Sequence, residues 1–330
     1  MNFVYVLSSN KTDYYYEQFL LSIVSLQLYN KNFNIIVLVD KKTKKNLNEK
    51  RNEYEKYVTE IKVVETPVSL PQKEASRFIK TSMRQHITGD FLFIDCDTII
   101  TGKLIFTSPV ETNMAAVLDS HIPLSQHHLY SQFRERDKIL GYTRKNEIDK
   151  HFNSGIIYSR DTPDSYQFFE KWHSLWIESN KKGISADQPS FNQANYECNS
   201  IITELDGSWN CQISHNGLPF LFNAKIIHYF ATSLVSFEPP FMLASKKILE
   251  SIKENGIISS DIMKLLHNPK TAFSGKTRLI ADQVIFDILE SAFFSKLLWL
   301  RRKHQKLFNK LNTILNNIKK PGFSKKVFSA

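Results

Sequence analysis

The sequence has 330 residues, 42% of them hydrophobic and 12% aromatic, which excludes a disordered or fibrous chain and allows one large core with an appendage. Its three cysteines, Cys96, Cys198 and Cys211, form no CxxC pair, which argues against a disulfide framework or a structural zinc site and favours a reducing compartment. The net charge of +10 comes from residues 291–330, which carry ten Lys or Arg and no acid, so the neutral remainder predicts no nucleic-acid partner.

Short apolar runs alternate with amphipathic stretches through the first 230 residues, which predicts an α/β domain on a largely parallel sheet that opens with a βαβ unit. The predicted strands are Phe3–Leu7, Asn34–Val39, Ile61–Val64, Phe91–Ile94, Met114–Leu118, Gly155–Tyr158 and Ile226–Tyr229. The predicted helices are Tyr15–Tyr29, Thr43–Val58, Ala75–His86, Asp164–Ser179 and Asp187–Tyr196.

Ligands of open α/β sheets lie beyond the carboxyl ends of the strands, where loops surround a guest molecule. The segments that follow predicted strands are Ser8-Ser9-Asn10, Asp40, Asp95-Cys96-Asp97 and Asp119-Ser120-His121. Three of these four segments start with or contain Asp. They are the first places to look for ligand contacts.

The string FLFIDCDTII sets two carboxylates directly after an apolar strand. Alternation along an extended chain sends Asp95 and Asp97 to one side, while Cys96 turns toward the core. Two neighbouring carboxylates repel each other unless a cation lies between them, and a hard divalent cation can also bridge to a diphosphate. The pair predicts a metal site, with a solvated or capping Asp pair as the alternative.

Five strings together resemble the GT-A fold glycosyltransferases, and in particular glycosyltransferase family 8. FLFIDCDTIITGKL resembles the metal-binding strand of these enzymes, and EASRFIKTSM resembles the segment whose Arg faces the nucleotide. HFNSGIIYS, SADQPSFNQ and IIHYF resemble the family's N-[AS]-G strand, its DQ motif and the strand that carries a metal-binding His. The resemblance covers most of the first 230 residues. It implies a Rossmann-like, mostly parallel sheet flanked by helices, followed here by a basic helical extension.

The resemblance also implies roles for individual residues. Asp95, Asp97 and His228 would bind the metal, Mn²⁺ or Mg²⁺. The nucleotide of a UDP-sugar would contact Leu7, Ser8, Ser9, Arg77, Asp95, Cys96 and Asp97. Catalytic contacts with the sugar would come from Asn153, Asp187 and Gln188. Gln188 is uncharged and is no strong base, so near the anomeric carbon it would position or stabilise an oxocarbenium-like centre.

Each assignment has a structural alternative. His228 could be a satisfied core histidine, and Asp187 could be only the N-cap of the following helix. Asn153 could be a turn residue before its strand. Arg77 could be a solvated helix residue, and the cations of Lys80 and Arg84 on the same helical face are weaker candidates for the site.

Two features depart from the family pattern. The family usually follows its metal-binding His with a Gly and a phosphate-contacting Lys, but the sequence here reads HYFATSLVSFEPPF. Ser233, Lys246 or Lys247 would have to replace that Lys. The polar, His-rich stretch between Asp119 and Asp149 reads as an acceptor-side insertion, and no metal role is predicted for its adjacent histidines, His127 and His128.

The end of the chain predicts a membrane-facing segment. From Phe294 to Ile318, apolar residues recur at helical spacing among basic residues, with Trp299 near the start. A basic amphipathic helix with aromatic anchors can lie on an anionic membrane, although a helix packed on the body is the alternative. We expect three parts: a transferase domain over 1–240, a helical extension over 241–290 and a basic tail over 291–330.

The sequence therefore predicts a metal-dependent transferase that moves a hexose from a UDP-sugar to a cell-surface glycan or lipid-linked acceptor, with retention. The start of the chain lacks a signal-peptide pattern and no long apolar run predicts a membrane span, so we expect a cytoplasmic protein on the inner face of the cell membrane. One alternative is a phosphatase of the haloacid dehalogenase type, which also has an apolar strand ending in DxD. The other is a non-catalytic nucleotide-sugar-binding protein.

Overall fold

The computed structural model describes residues 1–31, 33–105, 112–143, 149–230, 239–274, 287–289 and 291–317. Its contacts divide the chain into two compact units, Met1–Leu279 and Ile280–Ala330. Residues 241–274, assigned from the sequence to a separate extension, fall in the first unit. The division of the chain after residue 240 stays a prediction.

The first unit is built on a seven-stranded sheet in the order β3-β2-β1-β4-β7-β6-β8. Its strands are β1 Asn2–Leu7, β2 Asn34–Asp40, β3 Glu60–Val64, β4 Phe91–Ile94, β6 Met114–Leu118, β7 Phe152–Ser159 and β8 Ile202–Glu204. Four of the six strand pairs are parallel, and only β7 runs antiparallel to its neighbours β4 and β6. The predicted α/β class with a mostly parallel sheet is confirmed.

A small three-stranded sheet lies beside the central one, in the order β5-β10-β9. It consists of β5 Thr98–Ile100, β9 Cys211–Gln212 and β10 Ile226–His228. The seventh predicted strand is therefore present, but it ends at His228 and belongs to this small sheet.

Helices flank the central sheet and follow it along the chain. In the first unit they are α1 Tyr15–Tyr29, α2 Lys41–Asn46, α3 Gln72–Ser82, α4 Tyr130–Leu140, α5 Pro163–Lys181, α6 Gln188–Glu197, α7 Lys246–Asn255 and α8 Ser260–His267. Short 3-10 turns occupy Glu49–Arg51, Glu53–Lys56, Met83–Gln85, Asp119–His121, Leu124–Gln126, Gly207–Asn210, Leu218–Phe220, Met242–Ala244 and Pro269–Thr271.

The sheet buries both of its faces, as expected for parallel strands between helices. In β1, Phe3 and Tyr5 point into a core shared with α1, α7 and α8, whereas Val4 and Val6 point into a second core shared with α3, α5 and α6. This alternation follows from the two-residue period of a strand. Because α7 and α8 complete the first core, residues 241–274 help to hold the sheet in place.

The predicted helix Thr43–Val58 is wrong. The chain forms only α2 over Lys41–Asn46 and then two 3-10 turns. Asn48 is extended, and Glu49 has a φ of 52°, a left-handed conformation that cannot continue a right-handed helix. The stretch is rich in Lys and Asn and has no continuous apolar face, so nothing there compensates for the break.

The second unit contains α9 Ala292–Lys303 and α10 Gln305–Asn317. One continuous helix was predicted from Phe294 to Ile318, but His304 has a φ of −134° and separates the two helices. Ile318 lies outside the described residues. Among those residues, no helix is long and apolar enough to cross a membrane.

Candidate functional site

The three predicted metal ligands come together at the carboxyl end of β4. Asp95 and Asp97 follow that strand directly, and β5 begins at the next residue, Thr98. The antiparallel pairing of β5 with β10 sets His228 opposite Thr98. One ligand atom from each of Asp95, Asp97 and His228 lies within 4.8 Å of the others, and no other such group of three occurs in the described part of the chain.

The ring of His228 is held by close packing on two sides. A β-carbon at Gly155 would lie 2.5 Å from its Cε1 atom, so only glycine allows the ring to sit there. On its other side, Phe230 stacks on the ring with the centroids 3.9 Å apart. Gly155 also aligns the metal strand, because its carbonyl accepts a hydrogen bond from the Asp95 N–H at 2.9 Å.

The two carboxylates differ in their surroundings. Burial, together with the charge of the neighbouring Asp97, raises the pKa of Asp95 to about 6, against the opposing charge of Lys80. Burial also disfavours the charged form of Asp97, but the imidazole of His228, 3.2 Å away, outweighs this and lowers the pKa of Asp97. The pair therefore concentrates negative charge in a buried place, where a cation is the natural partner.

The side chain of Cys96 turns away from the site, as predicted. Its thiol donates to the Val6 carbonyl at 3.3 Å and packs against the first core. Burial raises the pKa of this thiol well above its usual value, so it stays protonated. The predicted nucleotide contact of Cys96 stays a prediction, and it would have to use the backbone.

Lys80 is the cation closest to the metal carboxylates. Its Nζ lies 3.2 Å from both oxygens of Asp95, 3.3 Å from Asp187 and 3.3 Å from the Ser154 hydroxyl. Arg77, one helical turn earlier, has its Nε 3.4 Å from the Asp187 carboxylate and donates through Nη1 to the Lys73 carbonyl at 3.1 Å. The sequence favoured Arg77 because the family's motif seemed to match there; the spacing of the two residues on one face of α3 was the available clue to Lys80.

Arg84 plays no part in this cluster. Its side chain is fully buried and donates to the carbonyls of Ile87 and Gly89, each at 2.7 Å. It also stacks over the rings of Phe91 and Tyr166. These contacts fix the turn before β4, so Arg84 is a structural residue.

Asp187 is more than a helix cap. It precedes α6, but its side chain makes no capping hydrogen bond. It accepts a hydrogen bond from the Ser154 hydroxyl at 2.8 Å and pairs with Lys80 and Arg77. Burial opposes its ionisation, yet these two cations outweigh it and lower the pKa of Asp187 to about 2. The capping alternative is wrong for its side chain, and Asp187 is a buried carboxylate facing the site.

Gln188 and Asn153 lie next to each other, and both side-chain amides have a fixed orientation. Gln188 donates through Nε2 to the His151 ring at 3.2 Å, and its Oε1 accepts from Asn153 at 3.4 Å. Asn153 lies within β7, so the turn alternative is wrong. Its Nδ2 also donates to Asp119 at 2.8 Å. Neither Asp119 nor His151 had been assigned a role from the sequence.

His127 is paired with Asp119 and lies outside the metal cluster. Its Nε2 is 3.1 Å from the Asp119 carboxylate, and its Nδ1 accepts a hydrogen bond from the Leu129 N–H at 3.1 Å. The side chain is buried. Both ring nitrogens of His127 therefore have partners within the protein, and the absence of a metal role stays a prediction.

The loop after β1 has its polar groups engaged within the protein. The Ser8 hydroxyl donates to Asp40 at 2.7 Å, and the Ser9 hydroxyl donates to Asp13 at 2.7 Å. Leu7 is 1% exposed and belongs to the first core. The predicted nucleotide contacts of Leu7, Ser8 and Ser9 stay predictions, and they would use backbone atoms.

The residues proposed to replace the missing phosphate-binding Lys are spread over two places. Ser233 lies outside the described residues. Lys246 and Lys247 are exposed at the start of α7, where Lys246 pairs with Glu250 at 3.1 Å. Another lysine of α7, Lys253, donates to the carbonyl of Asp13 at 2.7 Å and so ties this helix to the loop after β1.

Comparison with known proteins bears on the family and the fold of the chain. A family model described as glycosyl transferase family 8 matches residues 6–233. A search of curated proteins gave no match. Among solved structures, the WbbM bifunctional glycosyltransferase is 19% identical with a TM-score of 0.51, over 82% of this chain and 51% of that one.

Two further structures resemble the chain more weakly. Mouse xyloside xylosyltransferase 1 is 14% identical with a TM-score of 0.46, over 69% of this chain and 97% of that one. The galactosyltransferase LgtC, solved with donor and acceptor sugar analogs, is 13% identical with a TM-score of 0.49, over 80% of this chain and 99% of that one. At these identities the likeness bears on the fold alone.

Proposed function

Since the chain belongs to glycosyl transferase family 8, we propose that this glycosyltransferase moves a hexose from a UDP-sugar to a cell-surface glycan or lipid-linked acceptor, with retention and with Mn²⁺ or Mg²⁺. The observation that carries the proposal is the meeting of Asp95, Asp97 and His228 at the carboxyl end of the central sheet. That edge is where α/β proteins bind their ligands.

The donor atoms of this cluster fit a divalent metal. Two carboxylate oxygens and one imidazole nitrogen form a mixed hard and borderline set, which suits Mn²⁺ and is less typical of Ca²⁺. In the described part of the chain, this cluster offers three His or carboxylate ligands, so an ion with a higher coordination number has positions left for diphosphate oxygens. When bound, such a cation would supply positive charge for the departing diphosphate.

The cations of α3 hold the carboxylates of the site in place. The ammonium group of Lys80 has three protons, and its neighbours are Asp95, Asp187 and Ser154. We therefore assign Lys80 to the neutralisation of these two carboxylates, so diphosphate binding falls to the metal. Arg77 is 22% exposed and has one carboxylate partner, which leaves guanidinium donors for the nucleotide.

The sugar would be recognised by the oriented groups around β7 and α6. Asp187 offers carboxylate oxygens for a sugar hydroxyl, and the amide of Gln188 is fixed between Asn153 and His151. A fixed amide dipole can stabilise an oxocarbenium-like centre without acting as a base. These groups account for orientation of the sugar and for charge stabilisation near its anomeric carbon.

A donor panel tests the proposal. The protein is incubated with UDP-, GDP- and CDP-hexoses, with and without Mn²⁺, and nucleotide release is measured. We expect release from a UDP-hexose only when the metal is present, and we expect Asp97→Asn to abolish it. UDP binding without turnover would favour the non-catalytic alternative. Metal-independent turnover would contradict the role given to the cluster.

We further propose that the second unit attaches the enzyme to the inner face of the cell membrane. Phe293 is 70% exposed and Trp299 is 46% exposed, and both lie on a helix whose last turn is Arg301, Arg302 and Lys303. Exposed aromatic side chains beside cations favour an anionic lipid interface, to which each cation near the surface contributes about 1 kcal/mol.

A truncation tests this attachment. Removal of residues 291–330 should abolish binding to vesicles that contain anionic lipid, while hydrolysis of a soluble UDP-sugar stays nearly unchanged, because the proposed site lies before residue 230. Added salt should weaken the binding of the intact protein, since exposed charges are screened over about 8 Å at physiological ionic strength. Continued vesicle binding by the truncated protein would contradict the proposal.

A further inference from the structure

A chain of buried side-chain hydrogen bonds joins Asp119 to the imidazole of His228. Asn153 donates through Nδ2 to Asp119 at 2.8 Å, and Asn210 donates through Nδ2 to the Asn153 oxygen at 3.0 Å. The Oδ1 of Asn210 then lies 2.9 Å from Nδ1 of His228. Asn210 is completely buried, and His228 and Asn153 are 2% and 5% exposed.

The direction of every bond in this chain follows from its first member. Burial disfavours the charged form of Asp119, but hydrogen bonds and charge from His127, His151 and Asn153 hold its pKa well below the usual value. The ionised carboxylate can only accept, so Asn153 must present its NH₂ group to Asp119. The Asn153 oxygen therefore points the other way, where it accepts from the Gly155 N–H at 2.9 Å and from Asn210.

The same logic extends to the histidine. Because Asn210 uses its NH₂ group on Asn153, its oxygen faces His228. A carbonyl oxygen cannot donate, and a lone pair on Nδ1 would face it with repulsion at 2.9 Å. A neutral ring must therefore carry its proton on Nδ1, which leaves the Nε2 atom, 3.2 Å from Asp97, with the lone pair that a metal can bind.

We propose that Asn210 is a positioning residue that keeps the proton on Nδ1 of His228 and so presents Nε2 to the metal. The inference rests on the metal role proposed above for His228. Hydrogen-bond partners of metal-binding histidines orient the ring and select the binding nitrogen in this way. Packing of the ring between Gly155 and Phe230 fixes its plane but does not distinguish its two nitrogens.

Two substitutions at Asn210 separate this role from simple packing. Asn210→Leu keeps the volume but removes the acceptor, so Mn²⁺ affinity measured by calorimetry without any sugar donor should fall by about 10- to 100-fold. Asn210→Asp keeps an acceptor for Nδ1–H but loses the NH₂ group that donates to Asn153, so its Mn²⁺ affinity should fall less than that of Asn210→Leu. A packing role predicts equal effects of the two changes, and that result would overturn the inference.

Gln212→Leu is the matched control. Gln212 is another fully buried amide, on β9, but it donates to the Leu118 carbonyl and accepts from the Ser120 N–H, outside the chain of bonds that reaches His228. Its replacement should leave Mn²⁺ affinity unchanged. An equal loss in Gln212→Leu and Asn210→Leu would mean that general damage to the region is responsible, and the inference would fall.

A measurement on the unmodified protein avoids any difficulty with folding of the variants. With ¹⁵N-labelled histidine and diamagnetic Zn²⁺ bound, NMR should find the proton of His228 on Nδ1; a proton on Nε2 would overturn the inference. His228→Ala distinguishes failure of the proposed metal site from failure of the role given to Asn210. If it leaves Mn²⁺ affinity unchanged, the proposed metal site fails as well; if it lowers affinity and Asn210→Leu does not, only the inference about Asn210 fails.

Discussion

Two Asp–His pairs lie within the site region, and their geometry is nearly the same. Asp97 and His228 are 3.2 Å apart, and Asp119 and His127 are 3.1 Å apart, in each case between a carboxylate oxygen and Nε2. All four groups are wholly or largely buried. The pairs differ in what the second nitrogen of each ring contacts.

In the Asp119 pair, Nδ1 of His127 accepts a hydrogen bond from the Leu129 N–H. The proton of the neutral ring is therefore on Nε2, where it is donated to Asp119. The pair satisfies itself and needs no cation. In the Asp97 pair, Nδ1 of His228 faces an oxygen acceptor, so Nε2 can donate to Asp97 only when both ring nitrogens are protonated. The neutral ring leaves two electron-rich atoms 3.2 Å apart.

An Asp–His pair therefore indicates a metal site only when the partner of the second ring nitrogen, Nδ1, is known. The Asp97 pair also has Asp95 within reach, whereas the Asp119 pair has Asn153 as a donor. The Asp97–His228 pair lies beside a further acceptor, Asp95, whereas the Asp119–His127 pair lies beside a hydrogen-bond donor, Asn153. The sequence DxD and a distant His do not by themselves show which case applies.

Replacing His228 and His127 in turn should produce the largest difference between the two pairs. His228→Ala removes a ligand atom, so Mn²⁺ affinity should fall by about 100-fold or more, beyond the effect of losing a supporting hydrogen bond. His127→Ala should leave Mn²⁺ affinity unchanged but lower the free energy of unfolding by about 1–3 kcal/mol, because buried Asp119 loses a donor. Calorimetry and urea unfolding of both variants would decide, and equal Mn²⁺ affinities would contradict the assignment.

Replacing the two cations of α3, Lys80 and Arg77, should lower the stability of the protein by different amounts. Lys80 is 10% exposed and balances Asp95 and Asp187, so Lys80→Met should lower the free energy of unfolding by about 3–5 kcal/mol. Arg77 is more exposed and balances one carboxylate, so Arg77→Met should cost about 1 kcal/mol. Urea unfolding tests this order. A larger decrease in the free energy of unfolding for Arg77→Met than for Lys80→Met would mean that Arg77 is the main cation of the site.

Lowering the pH should affect Mn²⁺ binding near Asp95 and the stability of the Asp119–His127 pair over different pH ranges, with smaller effects than these substitutions. The pKa of Asp95 is raised to about 6, so Mn²⁺ affinity should decline as the pH falls from 7 to 5, when protonation competes with the metal. In the metal-free protein, the raised pKa of Asp95 favours the folded state at low pH. This contribution to the free energy of unfolding is present below the unfolded pKa of about 4 and is lost as the pH rises through 6.

The pKa of Asp119 is depressed, so its contribution to stability is present above the unfolded pKa of about 4 and is lost only as the pH falls further. Mn²⁺ titrations and urea unfolding at pH 7, 5 and 3 would follow the two processes. We expect metal binding to weaken before the fold does. Loss of both together at pH 5 would contradict the separation.

The sequence predicted six of the seven strands of the central sheet, and the clearest of these are buried on both faces; it missed β8, whose last two residues are exposed. A fully buried strand must be a short apolar run, and β1, β2 and β4 are such runs. The metal pair was predictable for a related reason, since Asp95 and Asp97 end one of these runs. His228 could be placed from its family string, although the small sheet that brings it to Asp97 could not.

What the sequence could not supply depends on contacts between distant segments. Asn153 and Asn210 are 57 residues apart, and nothing near either residue indicates that their amides meet. Lys80 looked less favourable than Arg77 because the family string matched at Arg77. Both residues lie on one helical face, and only the position of β4 decides between them. The predicted helix after Thr43 failed because backbone strain at Glu49 is not visible in composition.

Anomalous diffraction from crystals soaked in Mn²⁺ would locate the metal site without relying on turnover or on a variant. We expect one strong peak among the side chains of Asp95, Asp97 and His228, with Nε2 as the imidazole ligand, and no peak between Asp119 and His127. A peak at the Asp119 pair, or a metal bound to the protein away from both Asp95 and Asp97, would contradict this expectation.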